Sequence, residues 1–111
     1  KDTSYSKSSD ELKKEVEMAI KIQKDRYKNE KINTNSELST ALMKKYIKLS
    51  PEVEKLAKLA FNKYNFSVRS FNKILKMART IADLDQAKDI SEKHLLEAVR
   101  YGSLDGKYWS N

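Results

Sequence analysis

Apolar residues recur at helical spacing in five stretches of the chain, each preceded by a residue suited to start a helix. In the first, Leu12, Val16, Ala19, Ile20, Gln23 and Tyr27 share one face, while Lys13, Lys14, Glu17, Lys21 and Lys24 lie largely off it. Ser8-x-x-Glu11 forms a capping box at its start. The pattern fades by Asn29, and Ile32-Asn33-Thr34-Asn35 reads as loop. Thr34-x-x-Glu37 is a second capping box, predicting a short helix through Leu38, Leu42, Met43, Tyr46 and Ile47. Ser50-Pro51 then opens a third helix, because serine caps and proline at the first helical position loses no intrahelical bond. It carries Val53, Leu56, Ala57, Ala60, Phe61 and Tyr64, with Asn65 as a left-handed stop.

Ser67 caps a fourth helix with a broad apolar face made by Phe71, Ile74, Leu75, Ala78, Ile81 and Ala82. The stretch Asp85–Asp89 interrupts it. Ser91 caps a fifth helix with Leu95, Ala98, Val99 and Tyr101, and Gly102 is expected to end it. The expected fold is therefore all-α: a small bundle of four packed helices after Thr34, preceded by a longer helix that either docks on them or projects. There is no internal repeat and no sustained heptad.

Composition narrows the chemistry by what is scarce. The 111 residues include two Gly, one Pro, one His and no Cys. That excludes a disulfide scaffold, a thiolate zinc site, a cysteine nucleophile, a multi-histidine metal centre and a dinucleotide fingerprint. No apolar run approaches the length of a membrane span, and the start has no signal-peptide pattern. The expectation is a soluble, cytoplasmic domain with no membrane partner, no metal of its own and no catalytic centre of its own.

The charge changes the picture more. Lys and Arg number 23 against 16 Asp and Glu, a net +7, and the excess is localised. Residues 56–79 hold Lys58, Lys63, Arg69, Lys73, Lys76 and Arg79 and no acid. Such a stretch is either a solvated lysine face or an anion site for phosphates or nucleic acid. Arg69 stands apart, two residues after the Ser67 cap, where the helix dipole and free backbone N–H groups oppose a cation. It is there either for a surface ion pair or for an anion that the helix start also attracts, such as a phosphate.

At this stretch the chain resembles a known family. Phe66-Ser67-Val68-Arg69-Ser70-Phe71, continuing to Ala78-Arg79-Thr80-Ile81-Ala82-Asp83-Leu84, is similar to the C-terminal helical domain of magnesium-chelatase-related AAA+ ATPases of the ComM/YifB kind. The likeness runs on through Ile90–Tyr101. Upstream, Val16, Gln23 and Arg26 fit the segment joining the ATPase core to the lid, and Ile32-Asn33 fits an asparagine loop.

Roughly residues 10–102 are covered. Residues 1–9, polar and small, read as a linker or disordered terminus, and the resemblance implies a connecting helix over 10–31 and a lid over 32–102, followed by a tail over 103–111. It implies the lid of a nucleotide site, not itself an enzyme, whose Walker motifs belong to a preceding core. Arg69 aligns with the sensor-2 arginine that contacts the γ-phosphate, so Arg69 is the catalytic-type residue, with Ser67 beside it in binding the nucleotide.

ATP with Mg2+ would then be the ligand of the intact protein, and this piece alone would hold neither. Partners implied are the ATPase core, neighbouring subunits of a homo-oligomeric hexamer, and DNA, in branch migration during transformation. Phe66 stands where Leu is commoner, and Lys73 is among several lysines that replace arginine, a swap that gives up bidentate contacts. The alternative from another class is a stand-alone basic helical module that binds nucleic acid through residues 56–79.

Other signals carry less. Gly102 to Lys107 is too short for a P-loop and lacks its Ser/Thr. His94, with no second His or Cys, reads as a packing or capping residue before a catalytic base. Arg79 and Asp83, four apart, can pair across one turn, in a structural role or in a lid-to-core contact. Tyr5, Tyr108 and Trp109 either cover the core's edge or dock on a partner.

Overall fold

The computed structural model describes residues 8–109, with side chains through Ser103. Residues 1–7, including Tyr5, and the side chains of Tyr108 and Trp109 lie outside the described residues. The elements are α1 (Ser9–Arg26), a 3-10 turn (Asn35–Glu37), α2 (Thr40–Tyr46), α3 (Pro51–Tyr64), α4 (Val68–Leu84) and α5 (Glu92–Trp109). Among the described residues there is no strand, so the chain is all-α as its sequence predicts. None of these helices is long and apolar enough to cross a membrane.

Most of the expected punctuation is in place. The Ser8 hydroxyl accepts the Glu11 N–H and the Glu11 carboxylate accepts the Ser8 N–H, closing the first capping box. Ser50 and Ser67 accept from the Val53 and Ser70 amides, and Pro51 opens α3. Asn65 ends α3 at φ 54°, and the Phe66 N–H reaches back to the Phe61 carbonyl. Asparagine tolerates this left-handed geometry at small cost.

Two expected boundaries are corrected. The Thr34 box does not open α2. Its Glu37 carboxylate accepts the N–H groups of Asn33 and Thr34, but the turn it closes is a single 3-10 turn. Leu38 then extends so that its side chain is buried with Tyr27 and Met43, and Ser39 caps α2 by accepting the Leu42 N–H. Gly102 does not end α5, which runs on to Trp109. Gly102 is buried and keeps a right-handed φ, because it extends the Leu95, Ala98, Val99 stripe by one further turn. A position on the packed face can keep a glycine whose local preference would be to stop.

The main core is shared by three helices. Val53, Ala57 and Ala60 of α3, Ile74, Ala78 and Ala82 of α4, and Leu95, Ala98 and Val99 of α5 are buried together, closed off by Phe66 and Ile90. The alanines keep the contact faces low, and larger neighbours such as Phe61, Phe71 and Ile81 pack around them. The longer helix α1 docks on α4.

Glu37 is expected to give the fold an acid-sensitive contribution. The Asn33 and Thr34 N–H groups hold its carboxyl below the usual 4.5, and Glu30 is held down in the same way by the Tyr46 hydroxyl and Lys45. Both groups keep their charge in the folded chain at a pH where the unfolded chain has taken up the proton. Their contribution is therefore present above about 4.5 and is lost as pH falls through the folded values. Thermal melts from pH 6 downward should show this acid limb, and Glu37→Gln should flatten part of it; an unchanged limb would remove Glu37 from the linkage.

Candidate functional site

The start of α4 presents Arg69 to solvent. Ser67 accepts the Ser70 N–H at 3.1 Å and Phe71 N–H bonds the Ser67 carbonyl at 2.9 Å. The first two amides, of Val68 and Arg69, have no intrahelical acceptor. Arg69 is exposed, and among the described residues its guanidinium has no ion-pair or hydrogen-bond partner. An arginine so placed suits an anion, because fixed N–H groups and the positive end of the helix lie in the same turn as a forked donor. Ser67 fits less well as a ligand. Its hydroxyl proton goes to the Ser70 hydroxyl at 3.0 Å while its lone pair caps the helix, so its role here is to shape the turn. Beside Arg69, Val68 is 67% exposed and lines a shallow apolar cleft with Phe61 and Phe71, whose rings meet edge to face.

The other cations of the basic stretch are mostly engaged. Lys58 lies 3.8 Å from Glu54, Lys63 sits over the Tyr64 ring, and Lys76 reaches the Ser36 carbonyl at 3.4 Å. Arg79 is buried. A continuous cationic face over residues 56–79 is therefore thinner than the sequence count implies.

Arg79 belongs to a second, buried constellation. Asp83 is fully buried and is gripped by Arg26 through both oxygens, at 2.6 and 2.9 Å, across 57 residues of sequence. It also accepts from the Asn35 amide at 2.9 Å and lies 3.0 Å from Arg79. Asn35 is a junction in its own right. Its carbonyl oxygen accepts from the Tyr27 hydroxyl and Arg26, its amide nitrogen donates to Thr80 as well as Asp83, and its backbone N–H donates to Gln23. Arg79 donates onward to the carbonyls of Ala87 and Lys88 and so ties down the α4–α5 loop.

The two arginines respond oppositely. Hydrogen bonding to Asp83 raises the Arg26 pKa, whereas burial lowers that of Arg79, whose Nε is buried with no partner among the described residues. Burial likewise raises the Tyr27 phenol. The Arg79–Asp83 pairing expected from the sequence is present, and it is buried rather than exposed. Arg26 was visible only as part of a connecting segment, and the role of Asn35 was not visible at all.

His94 is a cap. Its Nδ1 accepts the Ser91 N–H at 3.0 Å while its own N–H bonds the Ser91 hydroxyl, replacing the glutamate of a capping box. Because a backbone N–H only donates, the ring proton lies on Nε2, 3.0 Å from Asp85. Among the described residues, no cluster of three or more His, Cys, Asp or Glu is arranged to hold a metal ion.

A family model described as magnesium chelatase, subunit ChlI C-terminal, matches residues 6–102. The chain is 30% identical over 90 residues to the protein YifB of Escherichia coli K12, described as uncharacterized, covering 81% of this chain and 18% of that one. The Salmonella typhimurium YifB is 33% identical over 102 residues, covering 92% and 19%. The competence protein ComM of Haemophilus influenzae is 36% identical over 70 residues, covering 63% and 14%. The chain thus spans less than a fifth of the length of these relatives. No solved structure gives a significant match.

Proposed function

The chain belongs to the magnesium chelatase subunit ChlI C-terminal family, and on that premise we propose that it is the lid of an ATP site in a longer, hexameric AAA+ ATPase. The observation that carries this reading is Arg69: an exposed arginine without a partner among the described residues, at a helix start that offers two free amides. In this reading residues 10–31 connect the ATPase core to the lid, and residues 32–102 are the lid. Arg69 faces the γ-phosphate, on its own subunit or a neighbour's, and Ser67 fixes the turn that aims it. ATP with Mg2+ is held chiefly by the core, and the bound ion supplies charge neutralisation on the phosphates. The longer protein works on DNA, in processing of the kind that branch migration in transformation requires.

The chain itself offers a test. ATP titrated into it to millimolar concentration should bind weakly, because the main phosphate cradle lies elsewhere, and should shift the amide resonances of Val68, Arg69 and Ser70. Arg69→Ala should abolish those shifts. Micromolar affinity, or shifts centred away from the start of α4, would count against the reading. The stand-alone nucleic-acid module predicts instead salt-dependent DNA binding spread over residues 56–79. Its weakness is that Arg79 is buried and Lys58 has an acidic neighbour.

A further inference from the structure

Within Ser9–Arg26 the connecting helix shares little apolar burial with the rest of the chain, although Tyr27, its C-cap, is buried with Leu38 and Met43. Leu12, Val16 and Ile20 of α1 stand exposed, and only Ala19 and Gln23 of this helix are buried. Neither apolar cluster includes a residue of Ser9–Arg26. Polar contacts fix its last turns in direction: Gln23 accepts the Asn35 N–H and Arg26 grips both oxygens of Asp83. Apolar faces can slide and rotate against each other. A guanidinium fork on a carboxylate fixes direction as well as distance. Asp83 cannot follow Arg26 if α1 swings, because Asn35 and Arg79 hold it in place within α4.

We propose that the Arg26–Asp83 pair is a latch that sets the direction of α1, so that α1 and the helix carrying Arg69 turn as one body. Arg26 and Asp83 are positioning residues in this scheme. The latch opens from one side only. Arg26 keeps 18% of its side chain exposed and can return to water, while Asp83 retains Asn35 and Arg79 when it leaves. Release therefore frees α1 without unmaking the α3–α4–α5 core. The inference goes beyond the nucleotide reading and stands without it.

The chain has no cysteine, so two can be introduced for spin labels, at exposed Glu17 on α1 and exposed Lys55 on α3. The expected result is one narrow distance distribution in the parent. Arg26→Gln should broaden it at least twofold, with the melting transition of the core retained. Arg26→Lys keeps a cation beside Asp83 and guards against a failure to fold. It should broaden the distribution too, since lysine lacks the fork. A broad distribution in the parent, or one that stays as narrow in whichever variant folds, overturns the latch. No nucleotide enters the experiment, so its failure would leave the reading of Arg69 untouched.

Discussion

On the proposed reading, Arg69→Ala introduced into the longer protein is expected to lower ATP turnover by about a hundredfold or more while leaving the stability of the lid unchanged. The two halves of that expectation have separate causes. A forked donor aimed at charge that develops in the transition state is commonly worth roughly 10²–10³ in rate, and arginines acting on a transferring phosphoryl group can be worth more. Stability is a different matter, because within the described residues the Arg69 guanidinium bonds nothing. Its removal takes an unfavourable cation from the start of α4, where the dipole end is positive, while the Ser67 cap stays intact. A merely structural arginine would give the opposite pattern, with stability lost and turnover falling only in proportion to folded protein. Steady-state hydrolysis measured beside a thermal melt separates the two. Near-normal turnover would remove Arg69 from the mechanism.

The position of Arg69, exposed at a capped helix start, was legible because everything defining it is local. Ser67 and Arg69 are two residues apart, and a cap followed by a cation in the first turn conflicts with the helix dipole wherever it is met. The same holds for Ser8, Ser50-Pro51 and Asn65, whose effects reach three or four residues. Local signals failed where tertiary packing chose between them. Thr34 and Ser39 both qualify as caps, and burial of Leu38 against Tyr27 and Met43 decides for Ser39. Gly102 carries a stop signal that the buried stripe of α5 overrides. At the end of α4 the left-handed residue is Gln86, at φ 55°, which no composition rule would pick. The Asp83 constellation was the least legible part. Its partners stand 57, 48 and four residues away, and no periodicity joins Arg26 or Asn35 to Asp83.

Asp83 is also where the second large effect is expected. Asp83→Ala should destabilise the chain by about 3–5 kcal/mol, the range for removing one member of a buried ion pair. That is a large share of the roughly 5–15 kcal/mol that stabilises an ordinary domain. The cost comes less from losing attraction than from what stays behind. Without the carboxylate, two guanidinium groups share one pocket, and the Arg79 side chain, 6% exposed, has no route to water. Its Nε already lacks a partner among the described residues, so the Ala87 and Lys88 carbonyls become its whole solvation. The Asn35 amide keeps only Thr80. Asp83→Asn should be nearly as costly, because a carboxamide turns one of its two acceptors into a donor facing arginines that only donate. Arg26→Gln should cost far less, since Asp83 then keeps Arg79 and Asn35. Urea denaturation of the three variants tests the order. If Asp83→Ala fell within about 1 kcal/mol of the parent, the loop carbonyls alone would suffice for Arg79, and the cluster would direct α1 without supporting the fold.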